Sequence, residues 1–551
     1  MNSILPSVRL CLLWAAAALV APGLAGQTAP APPLPAAGSF RVAGTIVSKT
    51  DAHPLGRARV TLRDAKKAEQ FESVITAEDG KFSFENVPAG KYSLTGAKRG
   101  FIAASYDQHD QFSTAIVTGA GIDTEALVLK IAPDAAIAGK VLDEAGEPVR
   151  HATVTLYYDD HLEGVDQIRA RNVAQTDDLG AYDLPNLVPG TYFLSVRATP
   201  WYAVHPPENS EGPKSETVVD RSLDVAYPLT YYTDATNSDD AIAIPLQGGE
   251  HLQVDMHLNP VPALHLLVHV PGDNKRGFIY PRLEQPAFDG SEFIQSNDVR
   301  MVSPGVVEVA GIPAGHYNLR MGGQGVEVQM NGVDLNKDGE QVDATAAEPT
   351  ARLKLSVHTP EETSVPKGLT VGLRSKGRTF AGFHRLDEKG EGEIDDIPPG
   401  NYEVVVYGSR KPYAVARMVA EGAGVSGHRL TLAAGAAASA SLRLVAGSAE
   451  VEGVVMKSGR GFAGAMIVLV PKDPEGNRDL FRRDQSDLDG TFSLHNVVPG
   501  TYSLLAIENG WELDWSRPGV IAAYSKHGRA VVVSDAGTRL KLPEPIQVQS
   551  R

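Results

Sequence analysis

"DGKFSFENVPAGKYSL", residues 79–94, decides how this chain is read. Phe82 and Phe84 alternate with polar neighbours at the period of two that a half-buried strand requires, and Tyr92 with Leu94 resumes that alternation after a Pro/Gly turn. The stretch reads as one β-hairpin. Gly80 permits positive φ in the turn entering the first strand, Pro88 presets φ, and Gly90 supplies the conformation that other residues resist. The ring of Tyr92 is expected inside, with its hydroxyl on a polar partner.

The phrase returns as "LGAYDLPNLVPGTYFL" (179–194), "PGVVEVAGIPAGHYNL" (304–319), "KGEGEIDDIPPGNYEV" (389–404) and "DGTFSLHNVVPGTYSL" (489–504). Every copy keeps one spacing of Gly, Gly and Tyr, from Gly80, Gly90 and Tyr92 through to Gly490, Gly500 and Tyr502. A second mark follows four of the copies: Gly121, Gly249, Gly435 and Gly537 each start a turn and a closing strand. The Ala-rich run 433–440 favours helix by propensity alone, but its register against the other copies makes it turn and strand. Opening strands such as "FRVAGTIV" (40–47), "AIAGKVL" (136–142) and "AEVEGVVM" (449–456) precede the phrase. Each repeat thus holds about seven short strands, enough for a Greek-key sandwich.

The expected organisation is all-β: five tandem β-sandwich modules at 40–132, 133–260, 261–350, 351–447 and 448–551, the third being the most divergent. Ahead of them, residues 1–25 have Arg9, an apolar run from Leu10 to Val20 and a small-residue exit, which reads as a secretory signal. Residues 26–39 read as a Pro/Ala-rich linker. The expected location is therefore periplasmic or extracellular. No later stretch is apolar for long enough to span a bilayer as a helix.

The single cysteine, Cys11, lies in the signal, follows no lipidation box, and leaves the remainder without disulfides, thiolate metal sites or a thiol nucleophile. The formal charge of −16 and the lack of clustered Lys and Arg argue against nucleic acid as a partner.

Residues 139–194 carry the run G-x-V-x-D-x-x-G-x-P-V-x-x-A-x-V-x-L, then D-x-x-G-x-Y and P-G-x-Y-x-L. This run resembles the carboxypeptidase regulatory-like family. The resemblance implies a transthyretin-like, carbohydrate-binding-like sandwich and a bacterial exported protein. It implies no peptidase activity, since such modules accompany catalytic domains, adhesins and outer-membrane receptors as non-catalytic parts. Glycan binding is suggested by the resemblance alone.

Enzyme motifs are missing: there is no His-Glu-x-x-His, no Gly-x-Ser-x-Gly and no phosphate-cradling glycine loop. No catalytic residue, metal or cofactor is expected. "DLNKDG" (334–339) offers Asp334, Asn336 and Asp338 as oxygens, but Thr345 stands where a calcium loop needs a carboxylate, so it reads as a turn. Trp201 and Trp511 fall where the first module has Phe101, and all three read as packing caps over a sandwich end.

Trp515 has no such counterpart and is a candidate ligand-binding residue. Two loops share Tyr-x-x-His before a closing strand, giving Tyr106 with His109 and Tyr524 with His527; Tyr231 and Tyr232 occupy the corresponding region of the second module. These seven residues are the candidate ligand contacts. The expected function is a non-catalytic array binding a polysaccharide or other cell-envelope component. The alternatives are a spacer or assembly scaffold, or an accessory part of a hydrolase system.

Overall fold

A computed structural model describes residues 39–551 except 162–163, 207–219, 271–279, 295–297, 324–325, 345–348, 360–364, 376–379, 409–411 and 476. The expected signal, the linker up to residue 38 and Thr345 lie outside the described residues. In the first repeat, β1 (Phe40–Ser48), β2 (Arg59–Asp64), β3 (Phe71–Ile75), β4 (Lys81–Val87), β5 (Gly90–Ala97), β6 (Ala104–Ser105), β7 (Ile116–Thr118) and β8 (Leu127–Ile131) form two sheets. One has the order β4-β1-β8; the other has β3-β2-β5-β6, with β7 also on β5. β1 runs antiparallel to β4 and parallel to β8. The other four opening strands, Ala135–Leu142, Leu264–His269, Ala351–His358 and Ala449–Lys457, likewise have both antiparallel and parallel neighbours. Five separate buried cores lie between the sheets, over residues 42–131, 135–258, 266–344, 351–444 and 449–546.

The quoted stretch is not a hairpin. β4 pairs with β1 while β5 pairs with β2, so the turn carries the chain from one sheet to the other. The repeats do the same at residues 181–197, 306–323, 391–407 and 491–507. A kink at the end of the first arch strand explains the departure from the sheet. Asn86, Asn186 and Asn496 adopt φ of 56°, 58° and 59°, and Gly311 takes 76° at the same place. The pairing register slips there by a bulge, which bends the strand. Asn tolerates this left-handed conformation better than most residues.

The five tyrosines occupy matching positions. Tyr92, Tyr192, Tyr317, Tyr402 and Tyr502 are all buried. Their hydroxyls donate to the carbonyls of Pro88, Val188, Pro313, Pro398 and Val498 at 2.5–3.0 Å. The bond closes the arch by satisfying a carbonyl that neither sheet can use. Burial pushes all five phenols up.

Gly80, Gly180, Gly305, Gly390 and Gly490 have φ between 68° and 82°, as the turn demands. The second glycines do not: none of Gly90, Gly190, Gly315, Gly400 and Gly500 has positive φ. They make room instead. A Cβ at Gly315 would lie 2.9 Å from the Tyr317 hydroxyl, and one at Gly190 would lie 2.5 Å from the Tyr158 ring.

The closing turns agree with the sequence reading, and Ala437–Ala446 is a strand. "DLNKDG" supplies the fifth such turn, with Gly339 at φ 72°. Asp338 Oδ1 accepts from the His265 N–H at 3.0 Å, and Gly339 N–H donates to the His265 carbonyl. Asp334 pairs with His316 Nδ1 at 2.6 Å. Of the oxygens that suggested calcium, Asp338 thus fastens the closing turn to its opening strand, and Asp334 is taken up by His316 of the strand Gly315–Gly323.

Candidate functional site

The chain doubles back, so that the first sandwich sits on the last. The loop 105–115 of the first meets the strand Arg482–Gln485 and the turn after it. Gln485, almost fully buried, is the polar hub. Its Nε2 donates to the Asp107 carbonyl (2.6 Å) and Thr114 Oγ1 (2.8 Å), while its Oε1 faces His109 Nδ1 at 3.1 Å. Because that amide oxygen only accepts, His109 carries its proton on Nδ1.

Beside this hub the His109 ring stacks on Trp511 with centroids 5.0 Å apart and planes 5° from parallel. Arg483 lies in an aromatic enclosure, its guanidinium 4.4 Å from the Trp515 centroid and 5.1 Å from that of Phe112, with Asp110 Oδ2 at 3.3 Å. Trp511, Trp515 and Phe481 belong to a second apolar cluster of the last sandwich, against which Phe112 of the first packs. A buried guanidinium is tolerable here because the ring faces and the carboxylate compensate its desolvation.

Asp487 shows how a repeated turn residue acquired a new task. Its counterparts Asp177 and Asp387 accept backbone N–H groups of their own turns. Asp487 instead receives the Ala115 N–H at 3.2 Å and the Lys91 ammonium at 2.5 Å, both from the first sandwich. Burial raises its pKa, and the Lys91 bond and charge work against that rise. Next to it, Leu488 N–H donates to the Ala115 carbonyl, and its side chain packs on the first core.

Two further seams hold the second sandwich. Toward the third, Tyr157, Leu229, Tyr231 and Ala287 form a buried cluster, with Phe288 edge-on to Tyr231 at 5.6 Å. Toward the fifth, Gly164 lies so close to Trp515 that a Cβ there would be 2.3 Å from the indole, and its carbonyl accepts from Ser516 Oγ. His161 Nε2 reaches the Leu513 carbonyl at 2.6 Å.

The seven candidate residues therefore do not form one exposed platform. His109 faces the last sandwich across the first seam, on Trp511 and Gln485, whereas Trp515 lies against Gly164 of the second sandwich. Tyr106 packs on the first core and Tyr524 on the Trp511–Trp515 cluster. Tyr231 is fully buried at the second seam, and Tyr232 packs on the second core. Only His527 is exposed. The shared Tyr-x-x-His is not a shared structure, since Tyr524 lies in the helix α1 (Pro518–Ser525) and Tyr106 in an irregular loop.

Phe101 packs against the first core as a cap would, but Trp511 joins the cluster on the outer face of its sheet and Trp201 is 84% exposed. Tyr227 packs on the second core instead. Arg483, Gln485 and Phe112 were missed by sequence reasoning. Their one signal was the dipeptide Arg482-Arg483 in a strand, where a sandwich ordinarily alternates polar with apolar residues.

Residues 41–119 and 136–219 each match the carboxypeptidase regulatory-like domain. No curated protein matches the chain. Among solved structures it is similar to the Bacillus anthracis TIE protein, with 9% identity over 93% of this chain and 74% of that one and a TM-score of 0.17. It is also similar to GBS52, the minor pilin of Streptococcus agalactiae (14% identity, 41% and 97% covered, TM-score 0.21). The shaft pilin SpaA from Lactobacillus rhamnosus GG is a third (10% identity, 41% and 98% covered, TM-score 0.19).

Proposed function

From a chain whose first two sandwiches are carboxypeptidase regulatory-like domains, we infer a non-catalytic structural or adhesive scaffold, exported and working at the cell envelope. One observation carries this reading: the loops that could hold an outside ligand hold each other. Trp511 and Arg483 of the last sandwich are covered by His109, Phe112 and Asp110 of the first, and Trp515 by Gly164 of the second. A seam that buries aromatics, a guanidinium and a satisfied amide resists the hinge motion expected of domains joined by small polar contacts. Solution scattering of the full chain tests it. A scaffold fits one closed shape, and Arg483→Ala broadens the distribution toward extended forms; an ensemble of extended forms in the unaltered chain contradicts the reading.

A second reading, glycan binding, is favoured by Trp201. Its exposed indole meets the Tyr202 ring edge-on at 5.7 Å, and Glu144 fixes the hydroxyls of both Tyr202 and Tyr227. An open indole face held beside a carboxylate suits the C–H face and hydroxyls of a sugar. Retardation of the full chain in polysaccharide-containing gels, relieved by Trp201→Ala, is the expected result. Equal mobility across a broad polysaccharide panel removes this second reading and leaves the scaffold.

A further inference from the structure

Two histidines sit at seams of the second sandwich with both ring nitrogens facing atoms that only accept. His265, on the opening strand of the third sandwich, has Nδ1 at 2.8 Å from Glu308 Oε1 and Nε2 at 3.0 Å from Asp224 Oδ2, a residue of the second. The ring and the Glu308 carboxylate are essentially excluded from solvent. His161, on the second sandwich, has Nε2 on the Leu513 carbonyl of the fifth and Nδ1 at 2.7 Å from Asp166, with Asp514 Oδ1 at 3.8 Å. A neutral imidazole has one N–H, so it can satisfy only one acceptor in each pair. The imidazolium is the one form of the ring that donates to both acceptors in each pair.

We propose that these histidines make a proton-dependent clasp, holding the second sandwich to the third and fifth while they are charged and releasing it when they lose their protons.

The surrounding charges support the assignment. His265 faces Asp224, Glu308 and Asp338. Glu308 is shared with Arg300 Nε at 2.5 Å, and Asp224 with His205 Nδ1 at 2.8 Å. Arg300 also donates to the His205 carbonyl, so both sandwiches contribute to one buried network. His161 faces Asp166, Asp514 and, more remotely, Asp159; Arg517 binds Asp514 from the far side. Burial opposes the charge on both rings. For His265 the bonds to Glu308 and Asp224 outweigh it, and for His161 those to Leu513 and Asp166 do, leaving both above the ordinary histidine value.

A group raised in the folded state contributes fully below its unfolded pKa, about 6.5 for His, and loses that contribution as pH rises through the folded value. The clasp is thus closed at mildly acid pH and opens on the alkaline side. Losing a proton at His265 withdraws the N–H from one of the two carboxylate oxygens it faces, Glu308 Oε1 or Asp224 Oδ2, which a buried seam tolerates poorly.

The test is hydrogen exchange of the full chain from pH 5.5 to 9, corrected for intrinsic rates, in peptides covering 222–228, 261–268 and 510–517. Protection at the acid end should fall as pH rises, by up to about tenfold per pH unit between about 6.5 and each histidine's raised value in the clasp, and level off above it. His265→Gln should flatten the profile at 222–228 and 261–268, and His161→Gln that at 510–517, each leaving the other seam unchanged. Protection constant across the range in the unaltered chain overturns the proposal, even if a variant fails to fold. Seams unprotected at every pH would instead remove the scaffold reading, so the two failures are distinguishable.

Discussion

The imidazole of His109 and the indole of Trp511 stack at 5.0 Å although they come from the first and last sandwiches of the chain. Neither ring is placed by its own repeat alone. Each completes a surface that its own core leaves open, as Leu488 does when it packs onto the core of the first sandwich.

Gln485 is the most sensitive polar position in that contact. Gln485→Leu preserves the volume but leaves the Asp107 carbonyl, Thr114 Oγ1 and His109 Nδ1 without their partner. Each stranded buried group costs about 1–3 kcal/mol. Proteolytic cleavage within 105–115 should rise markedly, while the core of the fifth sandwich, which Gln485 does not join, unfolds at an unchanged temperature.

Gly164 should not tolerate a side chain. Its φ is +70°, and a Cβ would meet Trp515 ring atoms at 2.3–2.5 Å. In Gly164→Ala the indole must leave its position over Arg483. Tryptophan emission should shift to the red, and a spectrum identical to that of the unaltered chain would speak against the contact.

The arch bond is testable in one repeat at a time. Tyr317→Phe removes the hydroxyl that caps the Pro313 carbonyl, both buried, and should destabilise the third sandwich by about 1–3 kcal/mol without altering its sheets. Gly315→Ala presses a methyl against that same hydroxyl and should cost more than a surface glycine replacement such as Gly459→Ala, relative to each site's φ strain. Exchange protection of residues 306–323 reports both.

Asp484 provides a pH prediction of opposite origin to the histidines. Burial pushes its carboxyl up to about 6, against hydrogen bonds from the Ser493 and Gln485 N–H groups. The folded form therefore holds the proton more tightly than the unfolded chain, whose Asp titrates near 3.9. Stability from this group rises as pH falls from about 6 to about 4 and is lost going the other way. Asp484→Asn should raise the stability of the fifth sandwich at pH 7 by about 2 kcal/mol and flatten its dependence over that window. Thermal melts at pH 5 and 7 measure both effects.

The five-fold spacing of Gly, Gly and Tyr was enough to place five sandwiches, because a turn glycine and an inward ring answer to local rules. Whether Phe82–Leu94 turned back within one sheet or crossed to the other was not legible, since both use the same period of two. The deciding residue, Asn86, looks like any turn asparagine. The glycine two residues before each tyrosine was read as a positive-φ position, and the structure shows close packing there instead, tightest at Gly190 and Gly315; both causes leave the same letter in a sequence. The loop residues were read as ligand contacts, and the structure gives most of them partners within the chain. An aromatic prepared for a neighbouring sandwich resembles one prepared for a sugar, and only the return of the chain decides between them.

That return is tested most directly by a zero-length carbodiimide cross-link between the Lys91 amine and the Asp487 carboxylate, which lie 2.5 Å apart. Mass spectrometry of the monomeric, full chain should find the 91–487 amide, and Gln485→Leu should reduce its yield. Cross-links of Lys91 confined to the first sandwich, with Asp487 freely modified by added amine, would contradict the closed arrangement.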